Sequence, residues 1–144
     1  MQKIKYTFEE WEQDTEKIIL MIEANKTRET AHLIVPMFGG IPIANKLRNR
    51  EGYKISLVKM SIYAGKDKKA AWVYNDNISV DEELVIIDDL YDSGITLKET
   101  LDLVRKSYPN NKVRVITIFG SKNAPSWLEY LHEKDDSWIV FPWE

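Results

Sequence analysis

Residues 83–101, "ELVIIDDLYDSGITLKETL", decide how the chain reads. Leu84 to Ile87 form an unbroken apolar run rich in β-branched residues, the composition of a strand buried on both faces. Asp88 and Asp89 end that run abruptly, and Asp92, Ser93, Gly94 and Thr96 follow within a few positions. From there Leu97, Leu101 and Val104 recur at helical spacing. The segment reads as strand, acidic turn, helix. An acid at a helix start is favoured by the helix dipole, so Asp92 alone carries little weight. Two acids, a third acid three positions on, and then Ser-Gly-x-Thr point to a ligand at the end of the strand.

The rest of the chain repeats the strand-helix alternation. Thr7 with Glu10 makes a capping box, and Phe8, Trp11, Ile18, Ile19 and Ile22 behind it predict an amphipathic helix. "AHLIVPMFGG" reads as a buried strand entering a glycine turn, "IPIANKLRNR" as a short helix and "YKISLVKMSIY" as the next strand. Residues 64–82 are polar and rich in Gly, Asn and Asp around one apolar patch, which predicts a long excursion with a hairpin inside it. After "ELVII" come a helix stopped by Pro109, the strand "KVRVITIF", a short helical segment "SWLEYLHE" and a last apolar piece, "SWIVFPWE". Alternation of this kind implies an α/β fold, a mostly parallel sheet flanked by helices on both faces. At 144 residues, 44% of them hydrophobic, residues 1–144 are expected to form a single domain.

Composition narrows the function classes. Without cysteine the chain has no disulfide, thiolate ligand or thiol nucleophile, and its histidines, His32 and His132, are too few for a metal cluster. No stretch matches a signal peptide or a membrane span, so a cytoplasmic protein without a membrane partner is expected. The net charge of −3 argues against a nucleic-acid partner, although "KDKK" at 66–69 offers local positive charge for a phosphate. There is no Gly-x4-Gly-Lys-Ser/Thr loop, and no later strand ends in an aspartate that would accept a phosphoryl group.

In an open parallel sheet ligands bind beyond the carboxyl ends of the strands. Asp88 and Asp89 are expected there, beside a turn whose free amides, hydroxyls and helix N-terminus suit a phosphate. Paired carboxylates are pure acceptors and suit the vicinal hydroxyls of a sugar. The combination points to a phosphorylated ribose.

"VIIDDLYDSGIT" resembles the phosphoribosyl pyrophosphate (PRPP) motif of the type I phosphoribosyltransferases. "VITIFGSK" and "SWIVFPWE" are similar to the base-binding end of the bacterial xanthine-guanine enzymes of that family, "HLIVPMFGGIPIANKL" to its pyrophosphate loop and "MSIY" to the start of its mobile loop. The resemblance covers most of the chain after the first helix. It implies a small hood built from the chain ends, a homo-oligomer (dimer or tetramer), and transfer of ribose 5-phosphate from PRPP to a 6-oxopurine: guanine, xanthine or hypoxanthine. A PRPP- or nucleotide-sensing protein of the same fold is the alternative.

Position by position, the resemblance gives Asp88 and Asp89 the ribose hydroxyls, and Ser93, Gly94 and Thr96 the ribose phosphate. Gly39 and Gly40 would admit the pyrophosphate, and Asp92 would hold or shuttle the purine ring proton. Lys122 would donate to the exocyclic oxygen of the base, Trp138 would stack on its ring and the Ile139 backbone would read its far edge. Mg2+ would arrive on the pyrophosphate, reached indirectly by Asp88 and Asp89. A lid over residues 62–78, with Ser61, Tyr63, Lys66, Lys68 and Lys69 as its working residues, would close on PRPP. Phe38 stands where the family commonly has Arg or Lys, which leaves Lys66, Lys68 or Lys69 as the candidate cations.

Overall fold

The structure is a computed structural model that describes residues 2–25, 30–62 and 68–144. In chain order its elements are β1 (Lys3–Lys5), α1 (Phe8–Asn25), β2 (Ala31–Pro36), α2 (Ile41–Leu47), β3 (Tyr53–Ile62), β4 (Lys68–Tyr74), β5 (Glu83–Leu90), α3 (Ile95–Ser107), β6 (Val113–Gly120), β7 (Leu128–Glu133) and β8 (Trp138–Val140). Six strands form one sheet in the order β4-β3-β2-β5-β6-β7. Every neighbouring pair in it is parallel except β3–β4.

Strand periodicity sends alternate side chains to opposite faces. Leu33, Val35, Val85, Ile87, Ile116 and Ile118 meet Ile18, Ile19 and Ile22 of α1 and Ile43, Ala44 and Leu47 of α2 on one side. Ile34, Leu84, Ile86 and Val115 meet Leu97, Leu101 and Val104 of α3 on the other. Both faces are covered, which is why β2 and β5 have no polar alternation before their last residues.

The capping box forms as expected. The Glu10 amide donates to Thr7 Oγ1 at 3.1 Å and the Thr7 amide donates to Glu10 Oε1 at 3.3 Å. Phe8, however, is 59% exposed and does not share the buried face of α1. It packs edge-on against Trp11, outside the core, because the helix meets the sheet only further along, where Ile18, Ile19 and Ile22 are buried.

The segment expected to be helical, "SWLEYLHE", is instead the edge strand β7, parallel to β6. Leu128 and Leu131 stand three apart, a spacing that fits one helical turn as well as a strand packed on both faces. In the fold Leu128 and Tyr130 join the α3 side and Leu131 the α1 side. A bidentate ion pair fastens the strand: Arg114 donates to Glu129 through Nε at 2.9 Å and Nη2 at 2.8 Å. The excursion after β3 holds one described strand, Lys68–Tyr74, which runs antiparallel to β3 itself, so the expected hairpin is made with β3 and does not lie inside residues 64–82.

The chain ends build the hood. β1 and β8 pair in parallel as a separate two-stranded sheet, with Lys3 opposite Trp138 and Ile4 opposite Ile139. Tyr6 anchors it: its ring packs edge-on against Phe119 and Phe141, and its hydroxyl donates to buried Asp14 Oδ2 at 2.6 Å. Among the described residues no helix is long and apolar enough to cross a membrane.

Candidate functional site

β2 and β5 are central neighbours, yet the chain leaves β2 toward β3 on one side and β5 toward β6 on the other. The loops at their carboxyl ends therefore diverge and leave a crevice between them, the topological switch point of the sheet. Residues 37–40 lie on one side of it and residues 88–94 on the other.

The crevice is closely built. A Cβ on Gly39 would fall against Asp88 Oδ1 and 2.7 Å from Asp89 Oδ1, so only glycine lets this backbone approach both carboxylates. A Cβ on Gly40 would strike the Ile87 carbonyl. The Met37–Phe38 peptide is cis, and the Phe38 side chain points outward, 76% exposed. Among the described residues, the amides of Phe38 and Gly39 have no acceptor.

On the other side, Gly94 is the N-cap of α3 with φ 82°, a left-handed conformation that glycine adopts without strain. Lys98 makes the first backbone bond of the helix, to the Gly94 carbonyl at 2.9 Å. The amides of Asp92, Ser93, Gly94, Thr96 and Leu97 have no acceptor among the described residues. They surround a cavity of about 260 Å³ that Gly39, Asp88 and Asp89 also line. Free amides at the positive end of a 13-residue helix can take an anion.

Asp88 and Asp89 sit differently from surface acids. Asp88 is buried, and its Oδ1 accepts the Asp89 amide at 2.9 Å. Burial, then the charge of Asp89, pushes the Asp88 carboxyl well above the ordinary range. Burial pushes Asp89 up to about 6, with the charge of Glu144 adding to the rise. No Lys, Arg or His among the described residues forms a salt bridge with either carboxylate. Such a pair is costly until something positive, or something that donates hydrogen bonds, arrives. No group of three or more His, Asp or Glu side chains that would hold a metal by itself occurs among the described residues. The pair fits a cation that brings its own phosphate oxygens.

Asp92 lies at a junction. It lines the small cavity and two further concavities, of about 550 Å³ and 490 Å³. Lys122 and Ile139 line the first of these, and Trp138, Ile139 and Glu144 the second. The expected base-binding residues thus come together around Asp92, but Lys122 and Trp138 do not face one concavity. Lys122 is exposed, in the turn that Ala124 closes on the Ser121 carbonyl. Trp138 is 54% exposed, presented by β8 and not part of the core.

Lys134 was not anticipated by the sequence reading. It lines both concavities with Asp92, and its Nζ lies 3.8 Å from Asp92 Oδ1. In the sequence it is one lysine in "HEKDD", with no local signal to distinguish it from a solvated residue.

The residues expected in a lid divide. Lys68 and Lys69 lie in β4, opposite Ile62 and Ser61, so the 68–74 part of the expected lid is sheet. Ser61 donates to the Lys69 carbonyl at 3.3 Å, and Lys69 pairs with Glu99 of α3 at 3.6 Å. Tyr63 and Lys66 lie outside the described residues.

A phosphoribosyl transferase domain model matches residues 7–144. A xanthine-guanine phosphoribosyltransferase of Cereibacter sphaeroides is 36% identical over 63 residues, which cover 42% of this chain and 34%, about a third, of that relative. A purine phosphoribosyltransferase of Pyrococcus horikoshii superposes with a TM-score of 0.79 at 20% identity, over 100% of this chain and 95% of its own. A xanthine-guanine-hypoxanthine phosphoribosyltransferase of Helicobacter pylori superposes at 0.74 with 18% identity, over 99% and 94%. With its switch-point crevice, its acid pair and a family match that spans nearly its whole length, this chain belongs to the phosphoribosyl transferase domain family.

Proposed function

We propose that residues 1–144 form one catalytic domain that transfers ribose 5-phosphate from PRPP to a 6-oxopurine, releasing the nucleoside monophosphate and pyrophosphate. The observation that carries this reading is the Asp88–Asp89 couple, without a basic partner among the described residues, set between the Gly39 backbone and the free amides of the α3 turn. A vicinal diol and a phosphate held at a fixed separation satisfy both halves of that arrangement.

In this reading Asp88 and Asp89 accept the ribose hydroxyls, and the Ser93, Gly94 and Thr96 turn holds the 5-phosphate. The Gly39–Gly40 loop admits the pyrophosphate. The anomeric carbon then faces the concavities around Asp92, where a base resting on Trp138 and Ile139 presents its ring nitrogen. The C1′–N bond forms as the C1′–O bond to pyrophosphate breaks, and the nitrogen's proton passes to the Asp92 carboxylate. Mg2+ on the pyrophosphate would neutralise charge on the leaving group, with Asp88 and Asp89 as the side chains facing it. A cytoplasmic homo-oligomer is part of the same proposal, supported by the family resemblance.

The test is a panel of guanine, xanthine, hypoxanthine, adenine and uracil with PRPP and Mg2+, followed by pyrophosphate release. Turnover of oxopurines is expected. Tight PRPP binding in calorimetry without turnover of any base would favour the sensing alternative, and turnover of uracil alone would overturn the purine assignment.

A further inference from the structure

We propose that Lys134, at the end of the edge strand β7, is the cation that selects the exocyclic oxygen of the base beside Asp92. This rests on the purine reading above and names the residue that would give it specificity.

Three observations carry the proposal. The first is placement. Lys134 follows β7 directly, and its amide donates to the Gly120 carbonyl at 2.8 Å, so its backbone is pinned to the carboxyl end of β6. That is the binding end of a parallel sheet. The second is the shared lining. Lys134, Asp92 and Ile139 border both concavities, whereas Lys122 borders one and Trp138 the other. A flat ring lying on Trp138 has Lys134 within its own concavity and Lys122 outside it.

The third observation is the state of the ammonium. The Lys134 side chain is only 12% exposed, whereas Asp92 beside it is 75% exposed. Nζ carries three donors. One goes to the Asp135 carbonyl at 2.9 Å. Asp92 Oδ1, at 3.8 Å, attracts the charge but is too far for a hydrogen bond. Among the described residues this ammonium, on a mostly enclosed side chain, has one firm acceptor, and a ring carbonyl oxygen entering the concavity would supply a second. An amino group at that position would not, because an ammonium only donates. Lys122 is instead exposed to solvent in its turn.

A purely structural role for the Lys134–Asp92 pair makes a different forecast, because loss of a brace lowers turnover of every base together. The deciding experiment compares specificity constants for guanine, hypoxanthine and adenine, with PRPP and Mg2+, in the parent, Lys134→Met and Lys122→Met. Methionine keeps the unbranched stem and removes the charge. The expected result is an oxopurine-to-adenine ratio that narrows roughly 10- to 100-fold in Lys134→Met, the worth of one charge-assisted hydrogen bond. In Lys122→Met the ratio is expected to stay within about twofold of the parent, below the worth of even a neutral hydrogen bond.

Lys134→Gln serves as the second variant and decides alone if Lys134→Met does not fold. Its amide accepts as well as donates, so it too narrows the ratio. An unchanged ratio in the folded Lys134 variants, or a ratio that collapses in Lys122→Met, overturns the proposal while leaving the purine assignment standing. A parent that turns over no purine overturns both.

Discussion

Asp89 donates its amide to Asp88 Oδ1 at 2.9 Å, so the Asp88 carboxyl at the end of β5 has one tether to its neighbour's backbone before any ligand arrives. Both are pushed upward by burial, Asp89 to about 6 from an ordinary 3.8. The sign follows from proton counting: between these values the folded protein binds more protons than the unfolded chain. Stability contributed by Asp89 is therefore lost as pH rises from about 4 to about 6. In the ligand-free protein at pH 7.5, Asp89→Asn is expected to raise stability by roughly 1–3 kcal/mol and to weaken PRPP binding at the same time. Urea denaturation paired with PRPP calorimetry checks it. A variant that is less stable than the parent at pH 7.5 but not at pH 4 would contradict the burial argument.

The adjacent glycines separate fold from function. An added methyl on Gly40 meets the Ile87 carbonyl and Val35, both fixed in the sheet, whereas one on Gly39 meets the two carboxylates, which can rotate. Gly40→Ala is expected to cost roughly 1–3 kcal/mol of stability, in the range of overpacked cores. Gly39→Ala is expected to leave the melting temperature nearly unchanged and to reduce PRPP affinity. Thermal melts beside calorimetry distinguish them, and equal destabilisation by both variants would show that the carboxylates are immobile.

How far the sequence could be read depended on the range of the interactions involved. The Thr7–Glu10 box and the strand-acid-turn-helix of 83–101 were legible because each is complete within a few residues. β1 was missed because Lys-Ile-Lys has no pattern of its own; it becomes a strand only by pairing with Trp138–Val140 at the far end of the chain. β7 reads as a helix in the sequence because Leu128 and Leu131 suit either period, and only the β6 partner and the Arg114–Glu129 pair decide between them. Lys134 carries no local signal, since the side chains that enclose it come from separate elements.

A second buried network lies away from the crevice. His32 Nε2 and Ser56 Oγ are 2.7 Å apart, both residues fully buried, and Glu82 pairs with Lys54 at 2.8 Å beside them. Among the described residues His32 Nδ1 has no hydrogen-bond partner and Glu82 stands 3.7 Å from it, and with His32 and Ser56 closed to solvent this Ser-His-Glu alignment acts as a structural joint. Burial lowers the His32 pKa from its ordinary 6.5. Here the unfolded chain binds the extra proton, so the contribution to stability is complete above about 6.5 and lost as pH falls through the lower folded value. His32→Gln is expected to lose less stability than the parent between pH 7 and pH 5. Parallel loss in both proteins would assign the acid sensitivity to other groups.

Asp14 joins the hood to the sheet: Oδ2 accepts from the Tyr6 hydroxyl at 2.6 Å and lies 2.8 Å from His132 Nε2 on β7. Asp14→Ala leaves a buried hydroxyl without its acceptor and is expected to cost about 1–3 kcal/mol. Asp14→Asn, which keeps one acceptor oxygen, is expected to cost less. Because Tyr6 leads directly out of the strand that pairs with Trp138–Val140, both variants are also expected to raise KM for the base more than KM for PRPP. Denaturant titration and separate KM determinations test the two halves, and an equal rise in both KM values would detach the hood from base binding.

Trp138 tests the base site from the other direction. β8 holds it with roughly half its surface open to solvent, while the adjacent Ile139 is buried, so the indole contributes little to the core and is free to present a face. Replacing an exposed residue of this kind normally changes stability by less than about 0.5 kcal/mol. Stacking on an aromatic face is worth roughly 0.5–1.5 kcal/mol and depends weakly on which exocyclic groups the ring carries. Trp138→Ala is therefore expected to weaken guanine, hypoxanthine and adenine by similar factors, each roughly 2- to 13-fold in KM, with kcat little changed. Trp138→Phe should recover part of the loss because a smaller face remains. Selective loss of one base would mean that the indole reads an edge, and unchanged KM for all three would mean that the ring lies elsewhere in the two concavities around Asp92.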